Sequence, residues 1–388
     1  MMPKLAVLSG AYKNAGDFLI VKRSVELLKY VYPECEIVLY ERRLPLSEQL
    51  DEINKMDAVI LAGGPGYSPN IYPKEIPLVE DLSQIKVPIY TIGLGWYGRN
   101  SAQETIYQKY LFGQGTRRLL ERLQVDGALS CRDGYSFRVL KANGYTRSVI
   151  TGCPAWYDIN KIDSTILRDG ISLPYRKICV SDPANPSNYT QSAEIVRFLR
   201  GKYPSASILY VFHRGRTCDN LDVTVQKMHT ALMDELKRNH VETVDISSSA
   251  DGFSVYDDCD LHVGMRVHAH IYNLSIRNIS VLVEEDGRGA GVNEILGLPR
   301  IKSYSSFGKI PSDSLLLTDR ILRRICRRLY GNTTKNNYLL LELDDYLEML
   351  ERNDYIMLRQ AFAKQKSYYN EMLKHIQSFF PIEEGNRK

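Results

Sequence analysis

The strongest constraint on how this chain can fold is a pattern that runs through it twice. Short, nearly unbroken apolar runs are each followed by a helical stretch, with Gly- or Pro-bearing turns between them. In the first series the runs lie at Leu5–Ser9, Glu36–Tyr40, Ala58–Leu61, Pro88–Ile92, Gly127–Cys131 and Ser148–Ile150. They lack the apolar–polar alternation of a strand with one wet face, so they predict strands covered on both sides. Helices are expected between them at Leu19–Tyr30, Arg117–Leu123 and Tyr135–Ala142. The irregular stretch Cys153–Arg176, with Pro154, Gly170 and Pro174, reads as an interdomain crossing. The second series follows, with strands at Ile178–Ser181, Ile208–Phe212, Val241–Asp245, Leu261–Val263 and Ile279–Val283. Its helices fall at Gln191–Gly201, Val223–Lys237 and Val267–Ser275. The expectation is α/β: two Rossmann-like domains, over 1–160 and 175–305, facing a central cleft, with a helical C-terminal extension over 310–388.

Composition narrows the classes. The 388 residues are 44% hydrophobic and 25% charged, which excludes wholesale disorder. A net charge of +4 lacks the basic excess of a protein that coats nucleic acid, so no nucleic-acid partner is expected. The seven cysteines are odd in number, scattered and without a C-x-x-C pair, which fits reduced thiols in the cytoplasm. The N-terminal apolar stretch is too short for a signal peptide, and no apolar run is long enough to span a membrane. Tyr is over-represented, at 26 against 10 Phe and 2 Trp. Its ring suits stacking on sugars, and serves domain surfaces equally well.

The motifs gather at strand-to-helix turns. Asn14-Ala15-Gly16-Asp17 follows the first strand. It is either an anion site at a helix N-terminus, with Asn14, Gly16 and Asp17 at the cleft edge, or a cap with Asp17 as N-cap. Gly93-Leu94-Gly95-Trp96-Tyr97-Gly98 matches G-x-G-x-x-G but follows a late strand, so it is not read as a dinucleotide fingerprint. Gly93 and Gly95, like Gly63-Gly64-Pro65-Gly66, either let the backbone approach a ligand or form tight turns. Arg132 and Asp133 put a cation and an anion at the cleft mouth, or form an ion pair in which Asp133 caps a helix.

The densest group is Gly264–His270. Arg266 offers a planar fork for carboxylate or phosphate, and His268 can bind an anion or move a proton. His270, on the opposite face, reads as structural. Arg288, after the following strand, and the cluster His213, Arg214 and Arg216 add cations at neighbouring strand ends. No metal-ligand spacing, nucleophile elbow or P-loop is present. Farther on, Asp319–Tyr330 forms an amphipathic pattern with five Arg on one face. It suits either a surface helix packed on the second domain or contact with an anionic membrane.

Taken in order, these motifs resemble the polysaccharide pyruvyl transferases over most of Leu5–Leu298. The resemblance rests on N-x-G-D at Asn14–Asp17, the turn at Gly93–Gly98, and Ser-x-Arg-Asp at Ser130–Asp133 followed by Ser136. It continues with Pro154-Ala155, Arg-x-His at Arg266–His268, and Leu296–Pro299. Two positions depart from the family pattern. Cys153 stands where the family has Asp, and Arg288 is the nearest cation to the place of a family Lys. The resemblance implies a GT-B-like fold and a reaction that moves a pyruvyl group from phosphoenolpyruvate onto two hydroxyls of a sugar, forming a cyclic ketal. It implies no metal and no cofactor. It also implies a sugar acceptor on a lipid carrier or a nucleotide, and with the former a cytoplasmic protein at the inner face of the membrane, touching it through 319–330.

On this reading His268, Asp17 and Asp133 are the catalytic candidates. Arg266, Arg288, Arg132, Asn14, Gly16, Gly93, Gly95, His213, Arg214 and Arg216 bind substrate. Three other readings remain: a nucleotide-sugar glycosyltransferase of the same architecture, a non-catalytic anion-binding component of a glycan assembly complex, and, more distantly, a dinucleotide enzyme.

Overall fold

The computed structural model describes residues 2–96, 98, 110–217, 223–305 and 334–380. The strands of its main sheets and turns, in chain order, are β1 (Lys4–Ser9), β2 (Glu36–Glu41), β3 (Ala58–Ala62), β4 (Pro65–Tyr67), β5 (Ile89–Ile92), β6 (Gly95–Trp96), β7 (Leu129–Cys131), β8 (Ser148–Ile150), β9 (Lys177–Ser181), β10 (Ser207–Phe212), β11 (Glu242–Asp245), β12 (Leu261–Gly264), β13 (Ile279–Glu284) and β14 (Ile301–Lys302); a two-residue antiparallel pair, Tyr304–Ser305 with Thr334–Lys335, follows. The helices used below are α1 (Ala15–Val31), α2 (Leu50–Ile53), α3 (Gln114–Asp126), α4 (Gly134–Ala142), α5 (Tyr189–Lys202), α6 (Val223–Arg238), α7 (Val267–Ser275), α8 (Gly287–Leu296), α9 (Leu339–Arg352) and α10 (Ile356–Gln377).

The first sheet is parallel with order β2-β1-β3-β5. Side chains alternate faces along a strand. Leu5, Val7 and Ile60 join Leu19 and Leu27 of α1 in one core. Ala6, Leu8, Val59 and Leu61 join Leu119 and Leu123 of α3 and Leu140 of α4 in another. Both faces are therefore dry, which is why the strands read as continuous apolar runs. The second sheet is parallel throughout, with order β11-β10-β9-β12-β13-β14. This is the Rossmann order, whose direction reverses between its first strand, β9, and its fourth, β12.

Two boundaries differ from expectation. Helix α1 begins at Ala15, with extended Asn14 as N-cap, so Asp17 lies inside the first turn and does not cap the helix. Helix α8 is not among the expected helices. Gly287, Gly289 and Gly291 argue against a helix, since glycine costs about 1 kcal/mol per position relative to alanine. They are there because α8 is pressed against the first domain. A Cβ at Gly291 would stand 2.6 Å from Cγ of Asp133, and one at Gly287 would stand 2.9 Å from the Trp96 ring.

The C-terminal helices pack back across the junction. Tyr32 Oη donates to the Ile376 carbonyl at 2.7 Å, and the Tyr90 ring stacks on Phe379 at 4.2 Å. On the other side Arg277 Nη1 donates to Gln365 Oε1 at 2.7 Å, and Gln365 Nε2 donates to the Trp156 carbonyl at 2.6 Å. The extension thereby ties both domains together. The Arg-striped segment Asp319–Tyr330 lies outside the described residues. Among the described residues no helix is long and apolar enough to cross a membrane.

Candidate functional site

Because all strands of both sheets are parallel, the turns at their carboxyl ends collect at one edge of each sheet. In the first domain these turns carry Asn14 after β1, Arg42 after β2 and Gly63 after β3. In the second they carry Asp182 after β9, His213 and Arg214 after β10, Arg266 after β12, and Asp286 and Arg288 after β13. The two edges meet. The Ala15 amide donates to the His213 carbonyl at 3.0 Å across the domain boundary. A Cβ at Gly16 would fall 2.0 Å from His268 Nδ1, so only glycine lets α1 lie against that ring. Sequence separations of about 200 and about 250 residues are closed here by one main-chain hydrogen bond and one missing side chain.

His268 is partly buried and makes no hydrogen bond to another described side chain. Burial, followed by Arg288, Arg132, Arg266 and Arg214, pushes its imidazole down to about 3, so it is neutral at pH 7. An anion placed among these arginines would reverse that bias. With Nδ1 covered by α1, Nε2 lies at the far edge of the ring. Beside this cluster a cavity of about 610 Å³ opens between the domains. Arg214, Arg288, Asn185, Glu285 and Asp286 line it from the second domain, and Pro65, Ser68 and Glu75 from the first.

Several expected ligand contacts turn out to be structural. Arg266 is buried and forked onto Asp182, with Nε to Oδ1 at 2.7 Å and Nη2 to Oδ2 at 2.5 Å. This pair spans the point where the sheet order reverses, and it sets the start of α7 rather than clamping an open anion. Asp133 is 1% exposed. Its Oδ1 accepts from the Ser136 amide and hydroxyl at 2.8 Å each, and its Oδ2 accepts from Arg132 Nε at 3.1 Å. Both oxygens are thus occupied in capping α4 and pairing Arg132, which removes Asp133 as a free base.

Gly93 packs on the Gly152 carbonyl and Pro154, and Gly95 on the Arg132 guanidinium, so both serve close packing rather than ligand approach. The His213 ring is fully buried, with Nε2 at 2.8 Å from Tyr256 Oη, and contributes its carbonyl instead. Arg216 turns outward to the Thr243 carbonyl at the β11 edge, away from the cavity.

Asn14, Gly16, Asp17, Arg132, Arg214, His268 and Arg288 do converge. Arg288 is held by Asp286, with Nη2 to Oδ2 at 2.7 Å. Cys153, in the place of the family Asp, is fully buried, and burial pushes its thiol up to about 11. It is neutral, and the carboxylate that pairs Arg132 is Asp133. Four features were missed. Asp182 had a signal, being the first polar residue after a buried strand. Arg42 fills the space beside Gly10 and Gly64 and donates from Nη1 to the Gly63 carbonyl at 3.0 Å; it accounts for the Gly63–Gly64 turn. Glu285 anchors the loop Ala184–Asn188 by accepting from both Ala184 and Asn185 amides and from Asn188 Nδ2. Ser68 and Glu75 sit on irregular chain and had no signal at all.

A sequence search of curated proteins finds no match. Among solved structures, a putative UDP-N-acetylglucosamine 2-epimerase from Listeria monocytogenes superposes with a TM-score of 0.53 at 11% identity, covering 98% of this chain and 97% of its own. The S. aureus MnaA–UDP complex gives 0.46 at 11% identity, over 90% of this chain and 97% of that one. At 11% identity the Listeria likeness, with its TM-score above 0.5, speaks for the fold alone, which is GT-B-like. The family profile for polysaccharide pyruvyl transferase matches residues 14–272, from the Asn14 cap into the helix that carries His268. That span holds the two turns that close on each other at Gly16 and His268, and the chain belongs to the polysaccharide pyruvyl transferase family.

Proposed function

We propose that the protein transfers the pyruvyl group of phosphoenolpyruvate to two hydroxyls of a sugar in a glycan precursor, making a cyclic ketal for a cell-surface or exopolysaccharide. The observation that carries this reading is the neutral His268 set among Arg288, Arg132, Arg266 and Arg214, of which Arg288 and Arg214 line a sugar-sized cavity. Phosphoenolpyruvate brings a phosphate and a carboxylate, and several cations at sheet ends suit such a ligand. Arg214 and Arg288 clamp it, Arg132 adds to the field, and Arg266 with Asp182 holds α7 in place.

Once the donor's charge offsets the arginines, His268 gains a proton and delivers it to the methylene carbon. Positive charge develops at C2, where a sugar hydroxyl adds. Phosphate then leaves and the second hydroxyl closes the ring. Asn14 and Asp17, in the first turn of α1, orient the acceptor, with Asp17 in the field of Arg42 and Arg214. The acceptor is carried on a lipid or a nucleotide, and the reaction takes place in the cytoplasm.

The test is phosphate release from phosphoenolpyruvate in the presence of sugar acceptors, preceded by a thermal-shift panel of phosphoenolpyruvate, nucleotide sugars and nicotinamides. His268→Ala is expected to lower turnover by roughly 10²- to 10⁴-fold, the range for a general acid. Near wild-type turnover in that variant would sink the assignment. Stabilisation by nucleotide sugars but not by phosphoenolpyruvate would transfer the site to glycosyl transfer.

A further inference from the structure

We infer that Glu75 is the acceptor-side base of this site: it receives the sugar's hydroxyls and takes the proton of the one that attacks the donor. This rests on the pyruvyl-transfer reading. Three carboxylates line the cavity, and two are spent. Asp286 holds Arg288 through Nε and Nη2, at 3.0 and 2.7 Å. Glu285 uses both oxygens, with Oε2 on the Ala184 amide at 2.7 Å and Oε1 on the Asn185 amide at 3.0 Å and Asn188 Nδ2 at 2.7 Å. Glu75 is different. It is exposed into the cavity from the opposite wall, and Ser68 Oγ donates to its Oε1 at 3.1 Å. Its Oε2 has no hydrogen-bond partner among the described residues.

The placement follows the chemistry. The donor's anions belong with Arg214 and Arg288 on the second domain, so the sugar must approach from the first, where Ser68 and Glu75 stand. Behind them Arg42 lies in the field of both Asp17 and Glu75, so a cation backs this wall as well. In the step itself the attacking O–H proton passes to Oε2 as the oxygen–C2 bond forms. The electrons of the C2–C3 double bond take the proton from His268. The C2–O bond to phosphate then breaks with its electron pair on phosphate. The second hydroxyl closes the ketal, and its proton leaves with inorganic phosphate. The proton on Glu75 returns through solvent to His268.

The experiment compares wild type, Glu75→Gln and Glu75→Asp, each checked by thermal melting. Phosphoenolpyruvate binding is read by calorimetry, phosphate release with a panel of methyl hexosides, and glycoside contact without donor by saturation-transfer NMR. Glu75→Gln should bind phosphoenolpyruvate within about twofold of wild type yet lose about 100-fold or more in acceptor-dependent kcat. It should also lose the acidic limb of the kcat–pH profile, and Glu75→Asp should restore that limb. A Glu75→Gln enzyme within about threefold of wild-type kcat overturns the proposal, because a general base contributes at least 10²-fold. If wild type fails to bind phosphoenolpyruvate but its glycoside contact disappears in Glu75→Gln, the donor reading falls and the sugar side of this inference stands. Donor binding with glycoside contact indifferent to Glu75 does the reverse.

Discussion

On the second domain's wall of the cleft, Arg266, Arg288 and Glu285 each have partners fixed by the same domain: Asp182, Asp286 and the Ala184–Asn188 loop. On the first domain's wall Arg132 and Asp133 are fixed in the same way, but three other polar groups are held more loosely. Among the described residues Asn14 makes no side-chain cap bond, Arg42 has a single carbonyl, and Glu75 rests on one hydroxyl. The difference matches two kinds of ligand. A small dianion of fixed shape is best met by groups that need no reorganisation. A sugar that differs from one glycan to another is better met by side chains that can still choose partners.

The contrast breaks first at Asp182. Asp182→Ala leaves the Arg266 guanidinium buried and unpaired, which should cost about 3–5 kcal/mol. Glu75→Ala, on the other wall, should stay within about 0.5 kcal/mol. Urea denaturation of the two variants decides it: equal losses would mean that the walls are not built differently. Replacing both partners, Asp182→Leu with Arg266→Met, should recover much of the stability, since two apolar groups leave no stranded charge.

A second measurement addresses His268 directly. Its folded value near 3 lies below the ordinary 6.5, so between these pH values the unfolded chain binds more protons than the folded one. Stability contributed by this group is therefore full above 6.5 and is lost as pH falls toward 3. His213, His262 and His270 are also held down by burial and steepen the same loss. A bound dianion should raise His268, so donor binding at pH 6 takes up as much as about one proton. Calorimetry in buffers of different ionisation enthalpy reads that uptake. His268→Asn should remove it, leaving only the ligand's own phosphate titration. Equal uptake in both proteins would take His268 out of contact with the donor.

How much of this could be seen in the chain depends on what each feature is made of. The strands were legible because both sheet faces are dry, so burial writes itself as uninterrupted apolar residues. The convergence of turns was legible because parallel strands leave no other arrangement. Partnership was not. Nothing local distinguishes Arg266, forked onto a residue 84 positions away, from Arg214, which lines the cavity. Helix α8 was hidden for the opposite reason. Its glycines answer to Trp96 and Asp133 in the other domain, so tertiary contact overrides a poor helix propensity. Glu75 had no period to betray it, because the segment Ile71–Glu75 is irregular in its own backbone.

The smallest expected effect separates neighbours. Arg214 and Arg216 are indistinguishable as a sequence motif, yet Arg214 lines the cavity while Arg216 reaches the Thr243 carbonyl on the outer edge of the sheet. A hydrogen bond to a charged group is worth about 1.5–3 kcal/mol, so Arg214→Gln should raise the KM for phosphoenolpyruvate roughly 10- to 100-fold. Arg216→Gln should leave KM within about twofold and stability within about 0.5 kcal/mol, as for other surface substitutions. Steady-state kinetics on the pair is a direct reading of which side of β10 faces the ligand. If the two variants were equally impaired, the turn after β10 would have to open in solution, and the cleft's cationic wall would extend past Gly215 toward the β11 edge.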